Sequence, residues 1–326
     1  MTAEREITRP VDLARGRMLN PDAVGWSRRP LHRTHIAGWG RTKRWEYWGI
    51  VTDRFVVGLT VAGLDYLANC AVYVLDRRTG REVSRSGIRP LHRPRFGDEP
   101  GVGALRASAG VGGGRVSIEV DDDEDTSSIR VQARGVRVRL EVSRPGHDSP
   151  AVVVPWSERR FQYTLKDLAN PVTGSVTLDG TTHDLGAGWA VLDRGRGRWR
   201  YATTWNWGAG SGVVDGSTRA LQVGGKWTDG TGSTENGILV DGRMHKLGDD
   251  LQWTYDVSDP AGPWRVRVSG WMPRSRRSIC ATELGVLAVK THQAFGTWHG
   301  TGVLDDGTEV SLDGLVGWAE QSRNRW

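Results

Sequence analysis

Apolar and polar residues alternate along most of this chain, while stretches with a 3.6-residue period are nearly absent. Val136, Val138, Leu140 and Val142 interleave with Arg137, Arg139 and Glu141, leaving one face of an extended segment dry and the other wet. The same period predicts strands at residues 45–51, 55–62, 71–75, 115–120, 129–133 and 136–142. The stretch 145–150 (Pro-Gly-His-Asp-Ser-Pro) breaks the pattern and reads as a linker. Strands resume at 161–165, 175–178, 188–192, 201–207, 221–223, 237–240, 251–255, 264–269, 279–283 and 286–290. Weak helical patterns remain only at 11–19 and 317–321. Two batches of short strands predict an all-β protein with two barrels or sandwiches, divided as residues 25–150 and 151–326. The acidic run 121–125 lies between two strands and reads as a hairpin loop, because it lacks the glycine and spaced ligands of a calcium loop.

Composition changes what these strands must enclose. The chain has 16 Trp against 4 Phe, and a buried indole N–H needs a partner, which favours amphipathic pockets. Its 44 glycines are dispersed, which suits many turns and excludes collagen. The formal charge of +6 comes from arginines interleaved with acids along both halves, so the basic balance reads as a solvated surface, with no nucleic-acid partner expected. Cys70 and Cys280 are too few for a disulfide framework and are expected as free, buried thiols. The charged start of the chain lacks the apolar stretch of a secretion signal, and no run reaches membrane-span length. A cytoplasmic location without stable membrane insertion is therefore expected.

Three clusters carry candidate chemistry. In a strand beginning at Gly188, Trp189, Val191 and Asp193 share a face, as do Trp205 and Trp207 on the strand flanking Asn206. Facing inward, Asp193 would sit in an aromatic cage, where desolvation favours its protonated form and suits it to donate a proton. Facing outward, it would pair with Arg194, Arg196 or Arg198. The second cluster, Lys226, Trp227, Asp229, Glu235 and Asn236, occupies a glycine-rich loop. No Gly-Lys-Thr/Ser ending leads into a helix, so it is not a phosphate loop; it is either ordinary turn chemistry or the polar rim of a barrel mouth. His183 and His245 are candidate acid–base partners for Asp193 or Glu235. In the third cluster Glu46 and Trp48 share a face, either inward as a second acid in a dry site or outward beside Lys43 and Arg44. No nucleophile elbow or H-E-x-x-H spacing is present, so neither cofactor nor metal is expected.

Gly174-x-Val176, then Gly188-Trp-Ala-Val-Leu-Asp193-Arg-Gly195, then Trp205-Asn-Trp207 resembles the signature of the carotenoid 1,2-hydratase (hydroxyneurosporene synthase) and AttH-like superfamily. A closer resemblance, over nearly the whole chain from about Leu31, is to domain-of-unknown-function family 2804. It rests on Lys43-Arg-Trp-Glu-Tyr-Trp48, Asp65-Tyr66, Asp193-Arg-Gly-Arg-Gly197, Thr204-Trp-Asn-Trp207, Gly225-Lys-Trp-Thr-Asp-Gly-Thr-Gly232, Thr234-Glu-Asn236 and Gly242-Arg-Met-His-Lys246. The resemblance implies tandem lipocalin-like antiparallel barrels. It also implies Asp193 as the donor that, in the hydratases, protonates an isoprenoid double bond so that water captures the cation. This chain departs from the hydratase pattern at Val191, where they carry tyrosine, and at Arg194-Gly-Arg-Gly-Arg198. The superfamily also includes pericyclase-type enzymes that fold a polyene in an apolar barrel.

The expectation is a cofactor-free enzyme that holds a hydrophobic isoprenoid, polyketide or lipid-like molecule in a barrel cavity and converts it by acid–base chemistry. Asp193, His183 and Glu235 are the candidate catalytic groups. Glu46, Trp48, Trp189, Trp205, Asn206, Trp207, Lys226, Trp227, Asp229, Asn236 and His245 are the candidate ligand contacts. The rival expectation is a carrier that uses the same pocket for affinity alone.

Overall fold

A computed structural model describes residues 4–96, 104–259, 262–267, 274–284 and 287–325, with backbone alone at 274–284 and 287–289. No α-helix occurs among the described residues. Twelve strands and the short segment Trp26–Ser27 form one antiparallel sheet. They are β1 (Thr42–Thr52), β2 (Phe55–Leu64), β3 (Leu67–Asp76), β4 (Arg81–Pro90), β5 (Leu105–Ala109), β6 (Val116–Asp122), β7 (Thr126–Ala133), β8 (Val136–Ser143), β9 (Ala151–Ser157), β10 (Arg160–Leu178), β11 (Thr181–Asp184) and β12 (Gly188–Arg198). The order is β5-β6-β7-β8-β10-β12-β1-β2-β3-β4, with β9 and β11 each pairing with part of the long β10.

The two edges of this sheet nearly meet. Gly110 N–H donates to Ile88 O at 3.2 Å, and a Cβ on Gly87 would fall 2.2 Å from Ala109 O, so only glycine allows β4 and β5 to approach this closely. The result is a nearly closed barrel whose interior is packed by Trp48, Phe55, Ile118, Leu140 and their neighbours. Its strands come from both sides of residue 150, because β10 and β12 lie in the middle of the sheet. The expected division at 150/151 therefore does not separate the sheets. The stretch 145–150 has no regular structure but is tied down: Asp148 accepts from the Met244 N–H at 3.0 Å and pairs with Arg28 at 3.2 Å.

A second antiparallel sheet contains β13 (Ala202–Val214), β14 (Ser217–Gly225), β15 (Gly237–Val240), β16 (Arg243–Lys246), β17 (Arg274–Leu284), β18 (Leu287–Trp298) and β19 (Leu315–Arg325). The order is β16-β15-β14-β13-β19-β18-β17. One face packs with the hairpins Gln252–Thr254/Arg265–Arg267 and Thr301–Val303/Glu309–Ser311 around Trp298, Leu312 and Leu315. The other face lies against the outer wall of the barrel, where Val51, Val56 and Val191 meet Trp207, Phe295 and Trp318. Gly49 makes room for this contact, since a Cβ there would sit 2.4 Å from the Trp318 ring.

Both weak helical readings are corrected. Residues 11–19 form the short strands Val11–Asp12, Ala14–Arg15 and Met18–Leu19, and residues 317–321 lie inside β19. In β19 the strand is bonded on both edges, to β13 and β18, and residues 317–322 are buried on both faces. A strand buried on both faces shows no hydropathy alternation, which is why its period was hidden. Of the two cysteines, Cys70 is buried and free, while the side chain of Cys280 lies outside the described residues.

Candidate functional site

Strand β12 has two chemically different faces. Ala190, Leu192 and Arg194 point into the barrel, while Val191 and Asp193 point out toward the second sheet. On the outward face the next two positions are Gly195 and Gly197, opposite Trp45 and Lys43 of β1. A Cβ at Gly195 would lie 2.1 Å from the Trp45 ring. Gly195 thus lets the Trp45 indole lie flat on the strand, whereas a Cβ at Gly197 would meet Phe161 O at 2.4 Å and the Gln162 side chain at 2.5 Å. Lys43 Nζ sits 4.8, 4.2 and 5.5 Å from the ring centroids of Trp45, Trp199 and Trp205, a three-sided aromatic cage.

Beside this cage β10 contributes Lys166 and Thr164. Lys166 Nζ bridges two carboxylates, Asp193 at 2.9 Å and Glu235 at 3.2 Å, and lies 4.3 Å from the Trp207 ring centroid. Thr164 Oγ1 donates to Asp193 at 3.2 Å. The second sheet supplies a third carboxyl, Glu320, which accepts from Trp205 Nε1 at 2.8 Å and from Gln293 Nε2 at 2.7 Å. Trp227 Nε1 donates to Glu235 at 3.1 Å, and its ring stacks on Trp199 with centroids 6.0 Å apart. Three carboxyl groups, two lysines and five tryptophans therefore converge between the sheets. Trp45, Trp156 and Trp205 are only half buried, so the aromatic end of the cluster reaches the surface.

Burial decides the electrostatics. It pushes the Glu320 carboxyl up to about 7, against the opposing pull of the Trp205 and Gln293 donors and of Lys166. Glu235 is raised for the same reason, only partly offset by Lys166. Burial works against the Lys166 ammonium too, but Asp193 and Glu235 outweigh it and hold its pKa above the usual lysine range. Lys43 lacks that double compensation: burial pushes it well below the usual range, with Asp193 opposing. Among the described residues no group of three His, Cys, Asp or Glu side chains is arranged to hold a metal ion.

The remaining sequence candidates scatter. Glu46 and Trp48 lie on the inward face of β1, where the Trp48 N–H donates to Glu46 at 3.1 Å and Arg194 Nε approaches it at 3.4 Å. They are buried, but on the opposite side of the sheet from Asp193. His183 pairs with Val176, ten residues along β10 from Lys166 and so on the order of 30 Å away; its ring lies 6.0 Å from Phe55. Trp189 shares the face of Asp193 but lines a cleft of about 970 Å³ with Arg28, His147, Asp148 and Arg243, and none of the three clustered carboxyl groups borders it. Asn206 turns to the far face of the second sheet and donates to Tyr255 Oη at 3.0 Å. Lys226 is exposed and also donates to Tyr255 Oη, at 2.6 Å; Asp229 accepts the Lys226 backbone N–H at 2.7 Å, as turn chemistry requires. Asn236 accepts from Gly224 N–H at 2.7 Å and donates to Asp249 O at 3.0 Å, which anchors the loop that carries Glu235. His245 Nδ1 pairs with Asp305 at 2.6 Å, apart from the cluster.

Sequence reasoning missed Lys166, Glu320, Lys43, Thr164 and Gln293 as site residues. For Glu320 a signal existed: Trp318-Ala-Glu320 repeats at period two the tryptophan-and-acid pairing that marks Trp189 and Asp193.

The sequence matches, over residues 4–326, the family described as Domain of unknown function (DUF2804). The chain belongs to this family. None of the curated proteins matches it. In fold, this DUF2804 chain is similar to the AttH-assigned protein NE1406 of Nitrosomonas europaea, with 13% identity and a TM-score of 0.50 over 86% of this chain and 92% of that one. It is similar to CghA, solved with Sch210972, with 14% identity and a TM-score of 0.50 over 90% and 89% of the two chains. It is also similar to kievitone hydratase of Nectria haematococca, with 10% identity and a TM-score of 0.51 over 88% and 89%. At these identities the likeness concerns the fold.

Proposed function

We propose that this DUF2804 protein binds a hydrophobic small molecule against the tryptophans between the two sheets and converts it by acid–base chemistry that requires no cofactor. The observation that carries the reading is the convergence of Asp193, Glu235 and Glu320 on one buried, lysine-bridged patch walled by indoles. A carboxyl pushed up to about 7 by burial is half protonated near neutral pH and can both give and take a proton, which supports Glu320 as the acid–base group. Asp193, held by Lys166 and Thr164, serves as the fixed negative charge beside it. A substrate double bond lying on Trp205 would gain a proton from Glu320, and the adjacent ring faces would stabilise the cation so formed. Loss of a neighbouring proton to the Glu320 carboxylate would complete an isomerisation; capture by water or attack by a second double bond, each followed by loss of a proton to the same carboxylate, would complete a hydration or a cyclisation. The fold shared with kievitone hydratase is compatible with such chemistry but does not decide it.

The carrier reading draws on the cleft at Trp189, which is roomy enough for a small ligand and is bordered by none of the three clustered carboxyl groups. The two readings separate in native mass spectrometry of protein taken from its own producer, before and after organic extraction, for the wild type, Glu320→Gln and Asp193→Asn. A different bound species on the variants shows that the wild type converts its ligand. The same mass on all three proteins defeats the enzymatic reading in favour of the carrier.

A further inference from the structure

The cleft at Trp189 is built from fixed parts and lies outside the buried carboxyl cluster. Its apolar border includes a cross-strand pair on the outward face of the barrel, Trp189 of β12 opposite Pro171 of β10. At the bulge just before Pro171, Ala169 sits at φ +53°, a left-handed backbone that is rare for a residue with a Cβ; its N–H donates to Ser211 Oγ at 3.2 Å. A second border is the β15–β16 turn, where Asp241 and Gly242 both have positive φ, as a tight hairpin turn requires. A third is the stretch 145–148, and the Asp148 N–H donates to Gly242 O at 2.9 Å, so stretch and turn are clamped to each other.

The polar groups that border the cleft divide unevenly. Its two carboxylates are already satisfied: Asp148 accepts from the Met244 N–H at 3.0 Å and pairs with Arg28 at 3.2 Å, while Asp241 accepts from the Thr218 N–H and the Ser217 hydroxyl, each at 2.8 Å. Arg28 is engaged in turn by Glu6 at 3.1 Å and by Met244 O at 2.6 Å, and the His147 ring by Asp167 at 2.9 Å. The groups left over are donors. Among the described residues the exposed Arg243 guanidinium forms no ion pair and Trp189 Nε1 no hydrogen bond, and both residues border the same cleft. A guanidinium fork takes a carboxylate through two parallel hydrogen bonds, and an indole beside proline rings takes a planar ring by stacking. At about 970 Å³ the cleft has the volume of a small-molecule pocket. We propose that it binds an aromatic carboxylic acid, with the carboxylate on Arg243 and the ring against Trp189 and Pro171. The proposal rests on the carrier reading, whose ligand class it names, and needs no reaction at Glu320.

The test is calorimetric titration of the wild-type protein, Arg243→Met, Trp189→Leu and Glu320→Gln with naphthalene-2-carboxylate and with its neutral isostere, naphthalene-2-carboxamide. The wild type should bind the carboxylate about tenfold more tightly than the amide, the worth of a hydrogen bond to a charged group. Arg243→Met should remove that preference and leave the affinity for the amide unchanged; Arg243 is exposed, so the variant keeps the fold. Trp189→Leu should weaken both probes, and Glu320→Gln should bind both as the wild type does. Equal affinity of the wild type for the two probes, or a preference for the acid that survives Arg243→Met, overturns the proposal; if Trp189→Leu still weakens both probes, the cleft remains a pocket and the carrier reading stands. Binding of neither probe, or binding that Trp189→Leu leaves intact, overturns the proposal together with the carrier's use of the cleft. Loss of binding in Glu320→Gln would place the probes between the sheets and overturn it as well.

Discussion

Replacing Glu320 with glutamine should make this protein more stable at alkaline pH and modestly less stable in acid. Glu320 is buried, and its carboxyl is raised from 4.5 to about 7. Below pH 4.5 the group is protonated in both folded and unfolded chains and contributes no difference. As pH rises from 4.5 to 7 the unfolded chain releases this proton while the folded chain retains it, so folding is progressively disfavoured. The gap of about 2.5 units is worth about 3 kcal/mol, lost in full above pH 7. Glutamine keeps an acceptor for the Trp205 N–H, but its amide faces the Gln293 amide, which must flip at a cost of about 1 kcal/mol. Glu320→Gln should therefore be about 1 kcal/mol less stable than the wild type at pH 4 and about 2 kcal/mol more stable at pH 8. Urea unfolding followed by tryptophan fluorescence at both pH values measures the swing, and other titrating groups cancel in the difference between the two proteins. A difference that stays flat across this range would refute the assignment of a raised Glu320 and, with it, the acid–base group of the proposed reaction.

Lys166→Met leaves Asp193 and Glu235 buried without their shared cation, and a loss of about 3–5 kcal/mol is expected in urea unfolding; a loss under 1 kcal/mol would show that the bridge is not formed. Gly195→Ala pushes a Cβ against the Trp45 ring and should cost about 1–3 kcal/mol, with a shifted tryptophan emission as the cage opens. His183→Ala should leave the bound species in native mass spectra the same as in the wild type, because the ring sits far along β10 from Lys166; a changed species would restore His183 to the chemistry.

The all-β character, the barrel and the family were legible because alternation and the tryptophan–glycine motifs are local properties of the chain. Which face of each strand looks into the barrel was not, since register is settled by packing. Asp193 illustrates the difference. Its outward direction would ordinarily mean solvent, and pairing with Arg194, Arg196 or Arg198 was the bland alternative. Instead those three arginines point the other way, and the outer wall of the barrel is covered by a second sheet that buries Asp193 beside Lys166. Neither Lys166 nor Glu320 could be joined to Asp193 from spacing, because they arrive from β10 and from β19, 127 residues beyond Asp193. The glycine-rich loop was half legible: Glu235 and Trp227 enter the site, while Asp229 and Asn236 shape the turn that delivers them.

The segment Arg194-Gly-Arg-Gly-Arg198 is where this chain departs from the hydratase pattern, and the two-residue period explains both halves of it. Side chains of a strand alternate between faces, so arginine at every even position fills the barrel with positive charge, while glycine at every odd position clears its outer wall. At Gly195 the cleared wall is what allows Trp45 to lie against β12 and form one side of the aromatic cage around Lys43, next to Asp193. A residue with a side chain at 195 would close that cage even if every carboxylate stayed in place. One short run thus shapes both faces of one strand. Changes to Gly195 should disturb the aromatic cluster between the sheets, while changes to the arginines act inside the barrel, each with little effect on the other.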